Sequence, residues 1–135
     1  MGQQQLLLIV LGVIVVGIAV VVGINLFNAN AVSSNRDAVV SDLNNLGAMA
    51  QQYYKKPVSM GGGGNTFNQQ GAATPSPWVI PPQLDTTANG TYTATVNAQS
   101  VIIVGTGTET GNDGSGPVQA TATVSPTAIT VSTQN

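Results

Sequence analysis

The side chains of this sequence best suited to chemistry lie in three short stretches. In "GNDGSG" at 111–116, Asn112 and Asp113 offer oxygen ligands to a cation such as calcium. The stretch lacks the alternating acids of a calcium loop, and a long hairpin turn accounts for it better. "GGGG" at Gly61 to Gly64 has the backbone freedom of a phosphate-binding loop. It lacks the Lys and the Ser or Thr that follow such a loop, and no strand pattern precedes it. "NGT" at Asn89 to Thr91 matches a glycosylation acceptor, and Asn-Gly is equally a common turn dipeptide. Histidine and cysteine are both absent. That removes the imidazole base, the thiolate nucleophile, the soft metal ligands and any disulfide. The sequence therefore offers no catalytic, metal-ligating or cofactor-binding residue, calls for no cofactor or small-molecule substrate, and does not read as an enzyme.

Charge narrows the partners. Five acids and three bases give a net charge of −2, and charged residues are only 6% of the 135. Nucleic-acid binding needs clustered Lys and Arg to displace counterions from phosphates, so no nucleic-acid partner is expected. Disordered chains are usually polar and highly charged, which this one is not. Its wettable surface must come from Thr, Ser, Asn, Gln and Gly.

The elements that must position any functional surface begin with "LLLIVLGVIVVGIAVVVGINLF", Leu6 to Phe27, which carries no charge and has Asn25 as its polar break. A helix rising ~1.5 Å per residue makes this segment roughly 33 Å long, enough to cross a bilayer. "ANA" at Ala29 to Ala31 resembles a signal-peptidase site. Against a removed signal stand the lack of any Lys or Arg before the run and a length beyond the ~7–15 residues of a signal core. Retention of the segment, headed by Met1, is the expectation. Each buried Val, Leu or Ile contributes ~1.5–3 kcal/mol, so self-association of these helices has tens of kcal/mol to draw on. Gly12, Gly17 and Gly23 let neighbouring backbones approach, without forming a strict small-xxx-small pair. The expected subunit interface is Gln5, Leu6, Leu7, Leu8, Ile9, Val10, Leu11, Val13, Ile14, Val16, Ile18, Val21, Ile24 and Phe27.

Downstream, Val32, Val39, Leu43, Leu46, Ala50 and Tyr53 recur at spacings of seven, four, three, four and three. That is one face of an amphipathic helix. Ser33, Ser34, Asp37, Asp42, Asn45 and Gln52 fall largely on the other side. Residues 3 to 54 thus read as one helix about 75 Å long, with Gly17 to Gly23 and Asn25 to Asn30 as its weakest points. Pro57 ends it. A Gly- and Pro-rich linker then wraps over the surface, with Phe67, Trp78 and Ile80 as anchors. From Gly90 the period changes to two. "TYTATVN", "SVIIVGTGT", "VQATATV" and "TAITVST" predict four antiparallel strands in a meander. The second of these reads as the more fully covered strand. One sheet face should meet Val39, Leu43, Leu46 and Tyr53, and the other should be a carpet of threonine. The predicted organisation is an assembly helix at 1–56 (apolar 6–27, amphipathic 31–54), a linker at 57–89 and a sheet domain at 90–135. The fold class is α+β, a long hydrophobic-then-amphipathic N-terminal helix packed on a small antiparallel sheet.

With its apolar segment followed by "NRDAVVSDLNNLGAMAQQYY", the chain resembles type IV pilins and the related pseudopilins. The resemblance implies an exported structural subunit that waits in the inner membrane. Its partners are then the membrane first and copies of itself afterwards, in a helical homopolymer at the cell surface. A minor pseudopilin, or a single-span periplasmic protein of a secretion machine, is the alternative that the same resemblance allows. The sequence departs from the family pattern in three places. Met1-Gly2 is the only trace of a basic leader cut after a glycine. Gln5 stands nearest to the usual glutamate, where a neutral amide costs less to bury than an unpaired carboxylate. Gly23 lies near the place of the family's helix-breaking proline.

Overall fold

The computed structural model describes residues 2–69 and 76–135. Met1 of the expected assembly helix and residues 70–75 of the expected linker lie outside the described residues. Contacts divide the chain into two compact units, Met1–Ala31 and Val32–Asn135. One α-helix, α1 (Gly2–Lys55), runs through both without interruption. Neither the glycines nor Asn25 to Asn30 break it. A single Gly costs ~1 kcal/mol in a helix, and the long-chain and aliphatic residues around it propagate the hydrogen-bond ladder regardless.

In the unit Val32–Asn135, a 3₁₀ turn (Val58–Met60) precedes five strands: β1 (Thr86–Thr87), β2 (Gly90–Val96), β3 (Val101–Thr110), β4 (Pro117–Val124) and β5 (Ile129–Gln134). They form one antiparallel sheet in the order β1-β2-β3-β4-β5. The four-strand expectation needs correcting by one edge strand. β1 is only two residues long, pairing Thr86 with Thr91 and Thr87 with Gly90, and two residues cannot display a period of two. β3 alternates buried Val101, Ile103 and Gly105 with half-buried Ile102 and Val104, so it is covered fully on one face and partly on the other.

The second half of α1 lies on the inner face of this sheet. Val39, Leu43, Leu46 and Ala50 form one core with Tyr92, Val101, Ile103, Ala120, Ala122 and Val124. Tyr53 is half-buried against that core, and its hydroxyl donates to the Ser76 carbonyl. Gly47 belongs to the same stripe. A Cβ there would stand 3.0 Å from Ile129 Cδ1, so the missing side chain sets how closely helix and sheet approach. Asn35 ties the helix to the sheet where the β3–β4 register shifts. Its side chain donates to the Asn89 carbonyl at 2.9 Å and accepts from the Thr108 N–H at 3.1 Å.

Phe67, Trp78 and Ile80 are all buried. The Phe67 N–H donates to the Ala98 carbonyl, the Trp78 N–H donates to the Phe67 carbonyl, and the Tyr54 and Phe67 rings lie 4.8 Å apart. The four glycines do more than link. The last carbonyls of a helix have no intrahelical donor. Here the N–H groups of Gly63, Gly64 and Asn65 reach the carbonyls of Tyr53, Lys56 and Tyr54 at 2.7, 3.0 and 2.8 Å. The backbone folds back so tightly that a Cβ on Gly63 would overlap the Thr66 carbonyl oxygen. The run is a helix cap that side chains would block.

Candidate functional site

Two surfaces stand out, one in each unit. The first is the apolar half of α1. Every residue expected at a subunit interface, from Gln5 to Phe27, is exposed. Exposure of its large apolar side chains runs from 51% at Val22 to 76% at Phe27. Val15, Val20, Val22 and Leu26 were not among the expected interface residues, yet they are exposed to the same degree. The signal that would have added them is the all-round apolarity of the segment, which singles out no face. Soluble monomers rarely show contiguous apolar patches beyond a few hundred Å², and larger ones mark protein or membrane contacts. The helix is long and apolar enough to cross a membrane by length and composition, a test that a membrane anchor and an N-terminal signal sequence both pass.

The second surface centres on Asp42, a residue the helical pattern assigns to the solvent side. Asp42 lies at the edge of the buried stripe and is half-buried. Its Oδ2 accepts from the Tyr92 hydroxyl at 2.6 Å, the Asn89 amide at 3.0 Å and the Thr87 hydroxyl at 3.2 Å. The three donors come from β1, from β2 and from the turn between them, which anchors that sheet edge to the helix. Burial pushes the Tyr92 hydroxyl well above its ordinary pKa, and its bond to the Asp42 carboxylate pushes the same way. Beside this cluster a groove of about 420 Å³ runs along the helix, lined by Asp42, Asn45, Leu46, Ala48, Met49, Gln52, Leu84 and Thr87. It presents an apolar body, an amide rim and one carboxylate. Such a lining can hold an apolar stem with a cationic or hydrogen-bonding tip.

The remaining sequence candidates have structural roles. Asn89 commits to Asp42 the amide nitrogen that a glycan would occupy. "GNDGSG" closes the β3–β4 hairpin, with the Gly111 N–H donating to the Gly116 carbonyl at 2.7 Å. Asp113 accepts from the Ser115 N–H and hydroxyl at 3.0 and 2.5 Å, and those bonds hold its carboxyl below the usual range. Among the described residues no group of three His, Cys, Asp or Glu side chains is placed to hold a metal ion. The outer sheet face carries cross-strand rows, Thr91–Thr106–Gln119–Gln134, Thr93–Val104–Thr121–Ser132 and Thr95–Ile102–Thr123–Thr130. No protein-family model matches this chain, and no curated protein or solved structure matches it either.

Proposed function

We propose that this chain is the structural subunit of an extracellular, pilus-like helical filament that polymerises through its apolar N-terminal helix. The observation that carries the reading is the uninterrupted helix whose first half exposes apolar side chains on every face, while its second half is packed into a folded sheet unit. At ~1.5–3 kcal/mol for each Val, Leu or Ile, covering that first half supplies the dominant driving force for either bilayer insertion or helix bundling. A subunit can use both in turn, resting in the inner membrane before assembly and giving up lipid contacts for contacts with its own copies. Gln3, Gln4 and Gln5 then satisfy their amides on neighbouring helices. The few charges of the sheet unit leave its surface to threonine, serine and glutamine, which stay wettable without ionic self-attraction.

Electron micrographs of the material shed from cells expressing the full chain test this directly. Long fibres of uniform diameter are the expected result. Isolated particles that stay in detergent micelles would instead make the chain a single-span anchored protein or a minor component of a secretion machine.

A further inference from the structure

We propose that the Asp42 groove receives Lys55 from a second copy of this chain, fixing the axial register of successive subunits; this rests on the filament reading above. The argument starts from charge. The sequence has three cations. Arg36 is half-buried and its guanidinium donates to the Asn135 carbonyl, whereas Lys55 and Lys56 are exposed at the end of α1. On the acidic side, Asp85 lines a separate pocket beside β2, while Asp42 is the carboxylate lining the groove along the helix. Its three bonds all reach Oδ2, and among the described residues no donor reaches Oδ1. The groove has the chemistry of a lysine side chain in negative, with Leu46, Met49 and Leu84 for the methylene stem and a carboxylate for the ammonium tip.

The chain cannot make this contact with itself. Lys55 lies thirteen residues beyond Asp42 on the same helix. That is ~20 Å along the axis and about 220° around it. Donor and acceptor therefore face nearly opposite ways, so a copy can offer Lys55 to one neighbour while receiving another's lysine at Asp42. Contacts of this head-to-tail kind do not close on a twofold axis and propagate as rings or open helices. Lys56 lies past the end of α1, where its carbonyl accepts from the Gly64 N–H, and fits that arrangement less well. The pair specifies register, while the apolar helices hold the polymer together. Charged contacts across interfaces commonly have that role.

The absence of cysteine from the chain allows a clean test. Asn45 is exposed on the groove rim. In the double variant Asn45→Cys/Lys55→Cys, the two thiols of one chain lie ten residues apart on the helix, ~15 Å. A disulfide needs Cα atoms within about 7 Å, so only an intermolecular bond can form. Oxidised fibres should run as a ladder of covalent multimers under denaturing conditions, and each single variant should stop at a dimer. Fibres that form without a ladder overturn the proposal and leave the filament reading standing. Asp42→Asn keeps an acceptor for Tyr92, and Lys55→Gln alters only an exposed side chain, so both should still assemble. The expected result is loss of the single helical rise and twist of the parent fibres; unchanged symmetry in both variants overturns the proposal. Maleimide labelling of Asn45→Cys should be lost on assembly. Labelling that persists in fibres would show the groove open and would also overturn it. If the parent chain forms no fibres, the filament reading falls and this inference falls with it.

Discussion

Residues 6–27 and residues 32–54 are both helical, both rich in aliphatic side chains, and continuous in one hydrogen-bond ladder. In the second stretch the aliphatics keep to one stripe, and Val39, Leu43 and Ala50 lose all contact with solvent against the sheet. In the first they occupy every face and leave it uncovered. The difference teaches that helicity and burial are specified separately. Backbone propensity is nearly blind to the hydrophobic pattern, so the ladder passes through Ala31 unchanged. The pattern decides whether the chain can satisfy its own apolar surface. A one-sided stripe can be covered by a single sheet, whereas an all-round apolar surface needs lipid or several other helices.

The sharpest way to break this contrast is to put a charge in the first region. Val15→Asp places a carboxylate among apolar side chains with no basic residue before Arg36. Burying an unpaired carboxylate costs several kcal/mol per ion, and each subunit would bear that cost. Fibres should be absent from micrographs, while circular dichroism of the sheet unit stays as in the parent. Normal fibres from this variant would sink the helical-core mechanism.

A core truncation probes the other side. A fragment starting at Ala31 retains the core described for Val32–Asn135 and should be soluble, monomeric and folded. Within it, Leu43→Ala removes a fully buried side chain facing the sheet. Such truncations cost ~2–5 kcal/mol, which denaturant melts would read as a lowered midpoint. The same change in the full chain should leave membrane insertion of residues 6–27 intact.

How much of this was legible in the sequence follows from the same contrast. Period and composition are local properties, and they located α1, the four longer strands and the buried stripe to within a few residues. What needed three dimensions was the specific hydrogen bonding between residues distant in the chain. Asp42 reads as one more polar residue on the wet side of a helix until β2 brings Tyr92 and the preceding turn brings Asn89 to it. Gly61 to Gly64 read as part of a surface linker because their hydrogen bonds run back to helix carbonyls that any chain could offer. The sequence reading also had no means of ranking the interface. Val15 and Val20 are as exposed as Val10 and Ile24, because a surface apolar all round carries no phase.

The Tyr92–Asp42 bond gives a smaller, graded effect. Tyr92 has its pKa raised in the folded state, first by burial and then by Asp42. An unfolded tyrosine ionises near pH ~10, so above that pH the unfolded state binds fewer protons than the folded one and stability falls. The unfolding free energy of the Ala31 fragment should be nearly level from neutral pH to about pH 9.5, as far as this residue contributes. It should then drop by up to ~1.4 kcal/mol per pH unit above pH ~10. Tyr92→Phe should remove that component of the alkaline slope, at a cost of about 1–3 kcal/mol at neutral pH for the lost bond to a half-buried carboxylate. An alkaline slope identical in Tyr92→Phe and its parent would show that the hydroxyl is not the group that titrates.

The smallest expected effect is that of salt. At 1 M ionic strength the Debye length is ~3 Å, and exposed ion pairs, worth ~0–1 kcal/mol to begin with, contribute almost nothing. An assembly held by Leu6 to Phe27 loses none of its cohesion under these conditions, since transfer of apolar surface involves no charge and is strengthened by excluded salts. Register is different in kind. In the proposed assembly, a lysine seated against Asp42 would be one charge contact per subunit, enough to choose among helical arrangements of similar packing energy yet too weak to hold the polymer. Pelleting and imaging in 1 M salt should therefore recover the same mass of fibre as in dilute buffer, with any change confined to the spread of helical parameters. Fibres that dissolve in 1 M salt would place the cohesion in charged contacts of the sheet unit. The comparison between the two halves of α1 would then be inverted.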